Sequence, residues 1–377
     1  MSKLRINPDM VIFNSKHKMI LDLFKKHEQL AISPRYLSVL NGFSTPVDSN
    51  EVSNDPHLLS WFSREEIQLI IGEFQKKDVL LTQDKSDDSR FGFSTLNQAV
   101  RYFYYSGLTF AGDQYIGIST EAKRLQKVTD EEPQIYKEYN GKQTDDVSLP
   151  NPSEKLEMNV YDMFLNRQTI RFCNKGIKIG LQRIADLFYY SLGETAVVTS
   201  NIGTALYKPT ATPGARAATE CYFISLDDSI PKGIYHYSVK KHLLECLNTG
   251  DFRNKAKEIS GGQMQLDTTS GLIILTERMD RLVWKYPNAG AYKSALIETG
   301  MVSQNMALIG TFLNLGVGFI EAFNDQKAID LLKLNPNQEF VGGIITVGDS
   351  TGLNRFDRPG IFDYINYEKE QKNEQQD

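Results

Sequence analysis

Arg167-Gln168-Thr169-Ile170-Arg171-Phe172 sets two guanidinium groups four residues apart with a hydroxyl between them. A guanidinium is a planar bidentate donor, so Arg167 and Arg171 can converge on one phosphate while Thr169 adds a third hydrogen bond. Taken by itself, the same spacing is more often a solvated face. A second stretch, Lys208-Pro209-Thr210-Ala211-Thr212-Pro213-Gly214-Ala215-Arg216, is a stiffened loop leading into a strand. Its prolines restrict the backbone, and Gly214 lets the chain approach a flat ring closely; an ordinary Pro-Gly connector has the same composition. Lys285-Tyr286, cut off by Pro287, sets an amine beside a phenol. Such a pair does acid–base chemistry if the lysine is neutral and is an amphipathic surface pair otherwise. Gln304-Asn305 puts adjacent amides in an apolar stretch, where burial would demand partners for them. Leu315-Gly316-Val317-Gly318-Phe319 ends a helix and releases the chain into a strand. It lacks GxGxxG spacing, so a dinucleotide-binding unit is not indicated.

These groups need a scaffold, and from about Glu154 onward the pattern is α+β. Short β-branched or aromatic runs predict strands at Glu220–Ser225, Gly233–Tyr237, Leu272–Leu275 and Gly342–Val347. Helices are predicted at Lys155–Leu165, Leu181–Tyr190, Val239–Cys246 and Ser294–Asn314, the last with Val302, Met306, Ile309 and Leu313 on one stripe. The front of the chain reads as a small separate module. Met10–Phe13 and Lys18–Leu23 suggest a hairpin, and Pro34–Leu40 a short helix. Ser63 and Glu66 form a capping box ahead of Ile67, Ile70, Ile71 and Phe74, and Val79–Leu81 follows as a strand. The polar run Asp84–Ser89 closes this module, Thr129–Asn151 reads as an extended connector, and Glu368–Asp377 as a disordered tail. The expected divisions are 1–84, 85–153, 154–365 and 366–377.

Composition narrows the function. With 377 residues, 41% apolar and 24% charged, the chain can build ordinary cores without staples. A net charge of −5 gives no chain-wide basic footprint, so no nucleic-acid partner is expected. Cys173, Cys221 and Cys246 are far apart, which argues for free thiols, and no His/Cys/Asp cluster has metal spacing. The apolar stretch Met306–Ile320 is too short to span a bilayer, and a cytoplasmic, membrane-independent protein is expected.

The order of the motifs carries more than any one of them. RxTxR, PxxxPGAR before a Glu-containing strand, Gly-x-Tyr-His-Tyr, Lys-Tyr, GxxxQN and LGxG together resemble the nitroreductase superfamily over about residues 135–350, and most of all its SagB-type dehydrogenases, which oxidise azoline rings in peptide natural products. The sequence departs from that pattern at Gln168-Thr169, where Arg-Ser is frequent, and at Thr212-Pro213-Gly214, where Ser-Gly-Gly is common.

The resemblance implies an antiparallel-dominated sheet flanked by helices, an FMN cofactor and a homodimer with flavin between subunits. It implies that Arg167, Thr169 and Arg171 hold the FMN phosphate and that Pro213, Gly214, Ala215 and Arg216 line the ring. Gln304 and Asn305 match positions near the flavin, and Gly316 and Gly318 match the turn near the ribityl phosphate. Lys285 and Tyr286 match a catalytic pair. Lys285 would serve as base only if burial or a cationic neighbour, Arg281 being near in sequence, lowers its pKa.

The expected substrate is a ribosomally made precursor peptide whose thiazoline or oxazoline is aromatised, with a cyclodehydratase as a possible partner. The rivals are an NAD(P)H-fed flavin reductase, acting on small molecules or dehydroamino acids, and a silent scaffold subunit. The front module resembles winged-helix or precursor-recognition modules, with peptide binding and a structural role both open. His236 is expected to be a packed strand residue, His242 a solvated or capping helix residue, and Asp227-Asp228 exposed charge.

Overall fold

The computed structural model describes residues 3–82, 96–106, 108, 118–128, 131–139, 145–155 and 157–353, and the chain divides into two units, Met1–Gln114 and Tyr115–Asp377. The polar run Asp84–Ser89 and the tail Glu368–Asp377 lie outside the described residues.

The first unit opens with β1 (Leu4–Ile6) and a meander of β2 (Val11–Ser15), β3 (Lys18–Leu23) and β4 (Glu28–Ile32). Three short helices follow, α1 (Tyr36–Asn41), α2 (Ser49–Ser53) and α3 (Pro56–Leu59), then the longer α4 (Arg64–Lys76). The Ser63–Glu66 capping box is formed in both directions, and Ile67, Ile70, Ile71 and Phe74 face the core, as their spacing requires. β5 (Leu80–Thr82) returns antiparallel to β1, and α5 (Gln98–Ser106) packs Tyr102 and Tyr105 against Phe24.

The second unit holds α6 (Ile118–Leu125), a short β6 (Val147–Ser148), α7 (Val160–Asn166) and α8 (Leu181–Leu192). A hairpin of β7 (Ala196–Ser200) and β8 (Gly203–Tyr207) leads into the 208–216 loop. Then come β9 (Thr219–Ser225), β10 (Gly233–Ser238), β11 (Leu243–Thr249), α9 (Arg253–Ile259), β12 (Gly271–Arg278), α10 (Met279–Lys285), α11 (Gly290–Phe312), β13 (Leu315–Ile320), α12 (Asp325–Leu332) and β14 (Glu339–Asp349). Seven strands form one sheet in the order β13-β14-β12-β9-β10-β11-β6, every pairing antiparallel.

Both faces of this sheet are covered, which explains why its central strands read as continuous apolar runs. Cys221, Phe223, Ile273 and Leu275 meet Phe188 of α8 and Val302 and Met306 of α11 on one face. Tyr222, Ile224, Leu272 and Ile274 meet Ala256 and Ile259 of α9 and Ala328 and Leu332 of α12 on the other. Burying each of the large aliphatic and phenylalanine side chains among these contributes about 1.5–3 kcal/mol. The α+β expectation therefore holds.

Two predicted helices are corrected. Val239–Cys246 is not helical: residues 239–242 turn, with His242 at φ 48°, and Leu243 onward becomes β11, because pairing to β10 on one side and β6 on the other outweighs local helical patterning. His242 accordingly sits on no helix; its ring bridges the Tyr237 hydroxyl (2.9 Å) and the Pro150 carbonyl (3.0 Å). α7 starts at Val160 rather than Lys155, since the Asn159 side chain accepts from the Asp162 amide and caps the helix there. Asp227 is also more than exposed charge: its carboxylate accepts from the amides of Ile179 (3.2 Å) and Ser229 (2.8 Å).

Candidate active site

The 208–216 loop is held from three directions. Thr210 donates its hydroxyl to the Ser191 carbonyl (2.7 Å), and Asn305 of α11 donates to both Thr210 Oγ1 (2.9 Å) and the Tyr190 carbonyl (3.0 Å). Asn305 thus braces the loop against α8, whereas its neighbour Gln304 is exposed. Pro213–Ala215 then makes one tight turn in which Gly214 has φ 61° and Ala215 φ 54°, with Ala217 at φ 47° just beyond. A left-handed alanine costs about 1–3 kcal/mol, so the surroundings must hold this conformation in place. They do so through Arg281, whose Nη1 donates to the Ala217 carbonyl (2.7 Å), and through Thr212 Oγ1, which accepts from the Ala217 amide (2.9 Å).

Arg216 anchors the end of the loop from inside. It is 2% exposed; its Nη1 donates to Glu132 (2.5 Å) and to the Thr204 carbonyl (2.8 Å), its Nε donates to the Arg281 carbonyl (3.2 Å), and its guanidinium lies 4.8 Å over the Trp284 ring. The arginine expected to line a ring is therefore built into the wall behind the loop.

Lys285 closes α10 and meets this loop directly: Nζ donates to the Gly214 carbonyl at 3.0 Å. A methyl group on Gly214 would stand 2.3 Å from the Tyr286 hydroxyl and 3.0 Å from Lys285 Nζ, so a side chain here would push the pair away from the loop. Partial burial lowers the Lys285 pKa, reinforced by the Arg216 and Arg124 cations and opposed by Glu121 and Glu132. The cationic neighbour is thus Arg216 and not Arg281. The Arg281 guanidinium instead pairs with Glu220 (2.6 Å) and donates to the Gln134 and Ala217 carbonyls. A half-buried amine with a depressed pKa beside a phenol is equipped to take a proton.

Beneath α10 lies a network that the sequence did not announce. His236 is fully buried between Glu245 (2.9 Å) and Glu220 (3.0 Å). Burial would lower its pKa, but the two carboxylates raise it overall, while Arg281 and His236 hold Glu220 well below its ordinary value against the opposing effect of burial. Because Glu220 also pairs with Arg281, this network ties the sheet to the helix that presents Lys285.

The other predicted set gathers elsewhere. Residues 167–173 run along β13, with the Ile170 amide 3.4 Å from the Val317 carbonyl. A Cβ on Gly316 would meet Ile170 Cγ2 at 2.8 Å, and one on Gly318 would meet Thr346 Oγ1 at 2.8 Å and the Ile170 carbonyl at 3.3 Å. These glycines let the arginine segment lie flat on the strand. Arg167 and Thr169 are half-buried and Arg171 exposed, and neither arginine is ion-paired with a described residue. Two uncompensated guanidiniums and a hydroxyl fit a phosphate dianion.

The two sets do not meet within one chain. Gly318 pairs with Thr346, Thr346 with Leu272 and Leu272 with Ile224, five residues from Thr219 at the loop end of β9. That is about 17 Å along the strands at ~3.4 Å per residue, and about 14 Å across three ladders.

Glu132, Trp284, Arg124 and Thr204 were not singled out from sequence. Glu132 sits in an irregular stretch with no local signature, and Arg124, whose Nη2 donates to the Lys285 carbonyl and which pairs with Glu121 (2.7 Å), shows only an ordinary i,i+3 ion pair. Among the described residues no group of His, Cys, Asp and Glu could hold a metal ion, and no helix is long and apolar enough to cross a membrane.

The chain is 22% identical over 190 residues to the trifolitoxin operon protein TfxC of Rhizobium leguminosarum bv. trifolii, a match covering 48% of this chain and 53% of TfxC. It is 26% identical over 167 residues to the trifolitoxin-processing protein TfxB of the same organism, covering 42% of this chain and 44% of TfxB. The chain thus spans about half the length of these two relatives. A solved structure of the E. coli microcin synthetase McbBCD complex with truncated pro-MccB17 bound aligns with 19% identity and a TM-score of 0.41, covering 53% of this chain and 76% of that one. Residues 208–349, which run from the loop through Lys285 to the end of β14, match the Nitroreductase family.

Proposed function

We propose that the chain is an FMN-dependent dehydrogenase that converts azoline rings to azoles in a ribosomally made peptide. The observation that carries this reading is the junction of Lys285 and Tyr286 with the left-handed Gly214 turn, inside the stretch that matches the Nitroreductase family. The names of TfxC and TfxB, a trifolitoxin operon protein and a trifolitoxin-processing protein, favour a peptide over a small molecule as substrate.

Bound FMN would supply the hydride acceptor for the azoline Cβ. Everything else falls to side chains. Lys285 donates a hydrogen bond to the Gly214 carbonyl, which fixes its amine while leaving the lone pair of the neutral form to take the Cα proton. Its lowered pKa makes the neutral form accessible. Tyr286, held against the same turn, orients the amine or the substrate. Arg167, Thr169 and Arg171 would take the phosphate, and the 213–216 loop the ring. The phosphate set lies against β13 and the loop at the start of β9, three ladders away, so a flavin site must join groups that one chain holds apart. A homodimer in which one copy supplies the phosphate contacts and its partner the ring contacts meets that requirement. Aromatisation needs a preformed azoline, so a cyclodehydratase acts before this protein.

The test is Lys285→Ala in purified protein that carries its flavin colour. The variant should keep the flavin absorbance and lose about 10²–10⁴-fold in turnover of a thiazoline-containing peptide. A reductase driven by NAD(P)H would lose little, and unchanged azoline oxidation would sink the reading.

A further inference from the structure

Lys285 ends α10, and the carbonyls of a helix's last turn have no partner within the helix. The last backbone bond of α10 runs from the Tyr286 amide to the Leu282 carbonyl (2.7 Å), which leaves the Lys285 carbonyl to be met from outside. Arg124 of α6 meets it: its Nη2 donates to that carbonyl across 161 positions of sequence. A cation at this place also suits the negative end of the helix dipole. The same guanidinium is fixed one turn back on its own helix. Arg124 Nε donates to Glu121 Oε2 (3.1 Å) and Nη2 to Glu121 Oε1 (2.7 Å), so the carboxylate is engaged at both oxygens. One continuous series of contacts thus runs from Glu121 through Arg124 and Lys285 to the Gly214 carbonyl, which the Lys285 amine reaches at 3.0 Å.

The charges that act on the Lys285 amine come from three elements: Arg216 from the 208–216 loop, Glu132 from the irregular 131–139 stretch, and Arg124 with Glu121 from α6. The Tyr286 ring lies beside it, 5.7 Å from Nζ. Arg216 and Glu132 neutralise each other (2.5 Å), as do Arg124 and Glu121 (2.7 Å). The balance at the amine therefore turns on whether both halves of each pair are in place. The two pairs differ in setting: Arg216 is 2% exposed, whereas the Arg124 side chain is 33% exposed and can be replaced without leaving a hole in the core. A Glu121 carboxylate left without its arginine would turn to the Lys285 ammonium, and a paired ammonium holds its proton more tightly.

We propose that Arg124 is a positioning residue for the reacting lysine: locked by Glu121, it fixes the end of α10 so that the Lys285 amine stays on the Gly214 carbonyl, and it keeps the Glu121 carboxylate from capturing that amine. What the amine does there rests on the dehydrogenase reading; its placement does not.

The experiment compares the full-length protein with its Arg124→Gln, Glu121→Gln and Arg124→Lys variants. Lys285 is titrated without turnover, from the rate at which acetic anhydride acylates its amine at each pH, followed by mass spectrometry of the digested protein. The pH limb of kcat/KM on a thiazoline-containing peptide is recorded beside it. Arg124→Gln removes a cation and releases Glu121, and both changes favour the ammonium, so the midpoint should rise by about one pH unit. Glu121→Gln removes an anion and leaves Arg124 uncompensated, so the midpoint should fall by about as much. Arg124→Lys keeps the charge but lacks the planar fork that serves two acceptors. Its midpoint should stay nearly in place while kcat drops about tenfold or more. A merely structural contact would lower reactivity and move neither midpoint. Midpoints unmoved, or moved in the same direction by both glutamine variants, would overturn the proposal. If Arg124→Gln does not fold, the direction of the Glu121→Gln shift decides alone. Opposite shifts in the acylation titration, with no turnover of any azoline peptide, would sink the dehydrogenase reading and leave this proposal standing.

Discussion

At Gly214 one added methyl group would collide with the Tyr286 hydroxyl and crowd Lys285 Nζ, on a backbone already at φ 61°. Gly214→Ala should therefore disturb the reacting pair more than the fold: turnover falls about tenfold or more, while thermal melting shifts by only a few degrees, the effect of about 1–2 kcal/mol of local strain. The same side chains set a pH dependence. As an ammonium Lys285 has no lone pair, so kcat/KM should rise with pH through its lowered pKa and level off above it, a limb that a pH–rate profile would show and that Lys285→Ala would abolish. A profile flat in that range for the unmodified protein would remove Lys285 from the proton transfer.

Elements are tied together here by buried charge rather than by apolar packing alone. Glu132, in an irregular segment, neutralises an Arg216 that is 2% exposed. Glu132→Ala leaves that guanidinium buried and unpaired and should cost about 3 kcal/mol in urea unfolding. His236 joins β9, β10 and β11 through Glu220 and Glu245, with the Tyr139 and Tyr222 rings tilted against it and Arg281 of α10 on the far side of Glu220. Its pKa is raised on folding, so its contribution is complete below the unfolded value of about 6.5 and is lost as pH rises through the folded value. Unfolding free energy measured against pH should decline over that window, and His236→Gln should flatten the decline.

At the scale of the whole molecule, the prediction concerns which copy completes a site. In a mixture of a Lys285→Ala chain with an Arg167→Ala/Arg171→Ala chain, each heterodimer would hold one site built from an intact phosphate set of one copy and an intact Lys285 of its partner. Random pairing in a two-fold dimer should restore about a quarter of the unmodified turnover. If both sets served the flavin of their own chain, every site would carry one lesion and mixing would restore nothing.

Much of the fold was legible because its signals are local. The Ser63 capping box, the stripe of Val302 and Met306, and the apolar runs of β9, β12 and β14 follow from spacing and propensity within a single element. The candidate residues were legible as an ordered set of motifs, since each motif is contiguous in the chain. What only the tertiary structure decided is everything that depends on contacts distant in sequence. Pairing to β10 and β6 made a strand of a stretch patterned like a helix. Packing across 71 positions put Lys285 on the Gly214 carbonyl and set Arg216, not the nearer Arg281, beside it as the cation that depresses its pKa. Electrostatics and steric contact act through space, and a chain written in one dimension does not record which of its distant groups will share it.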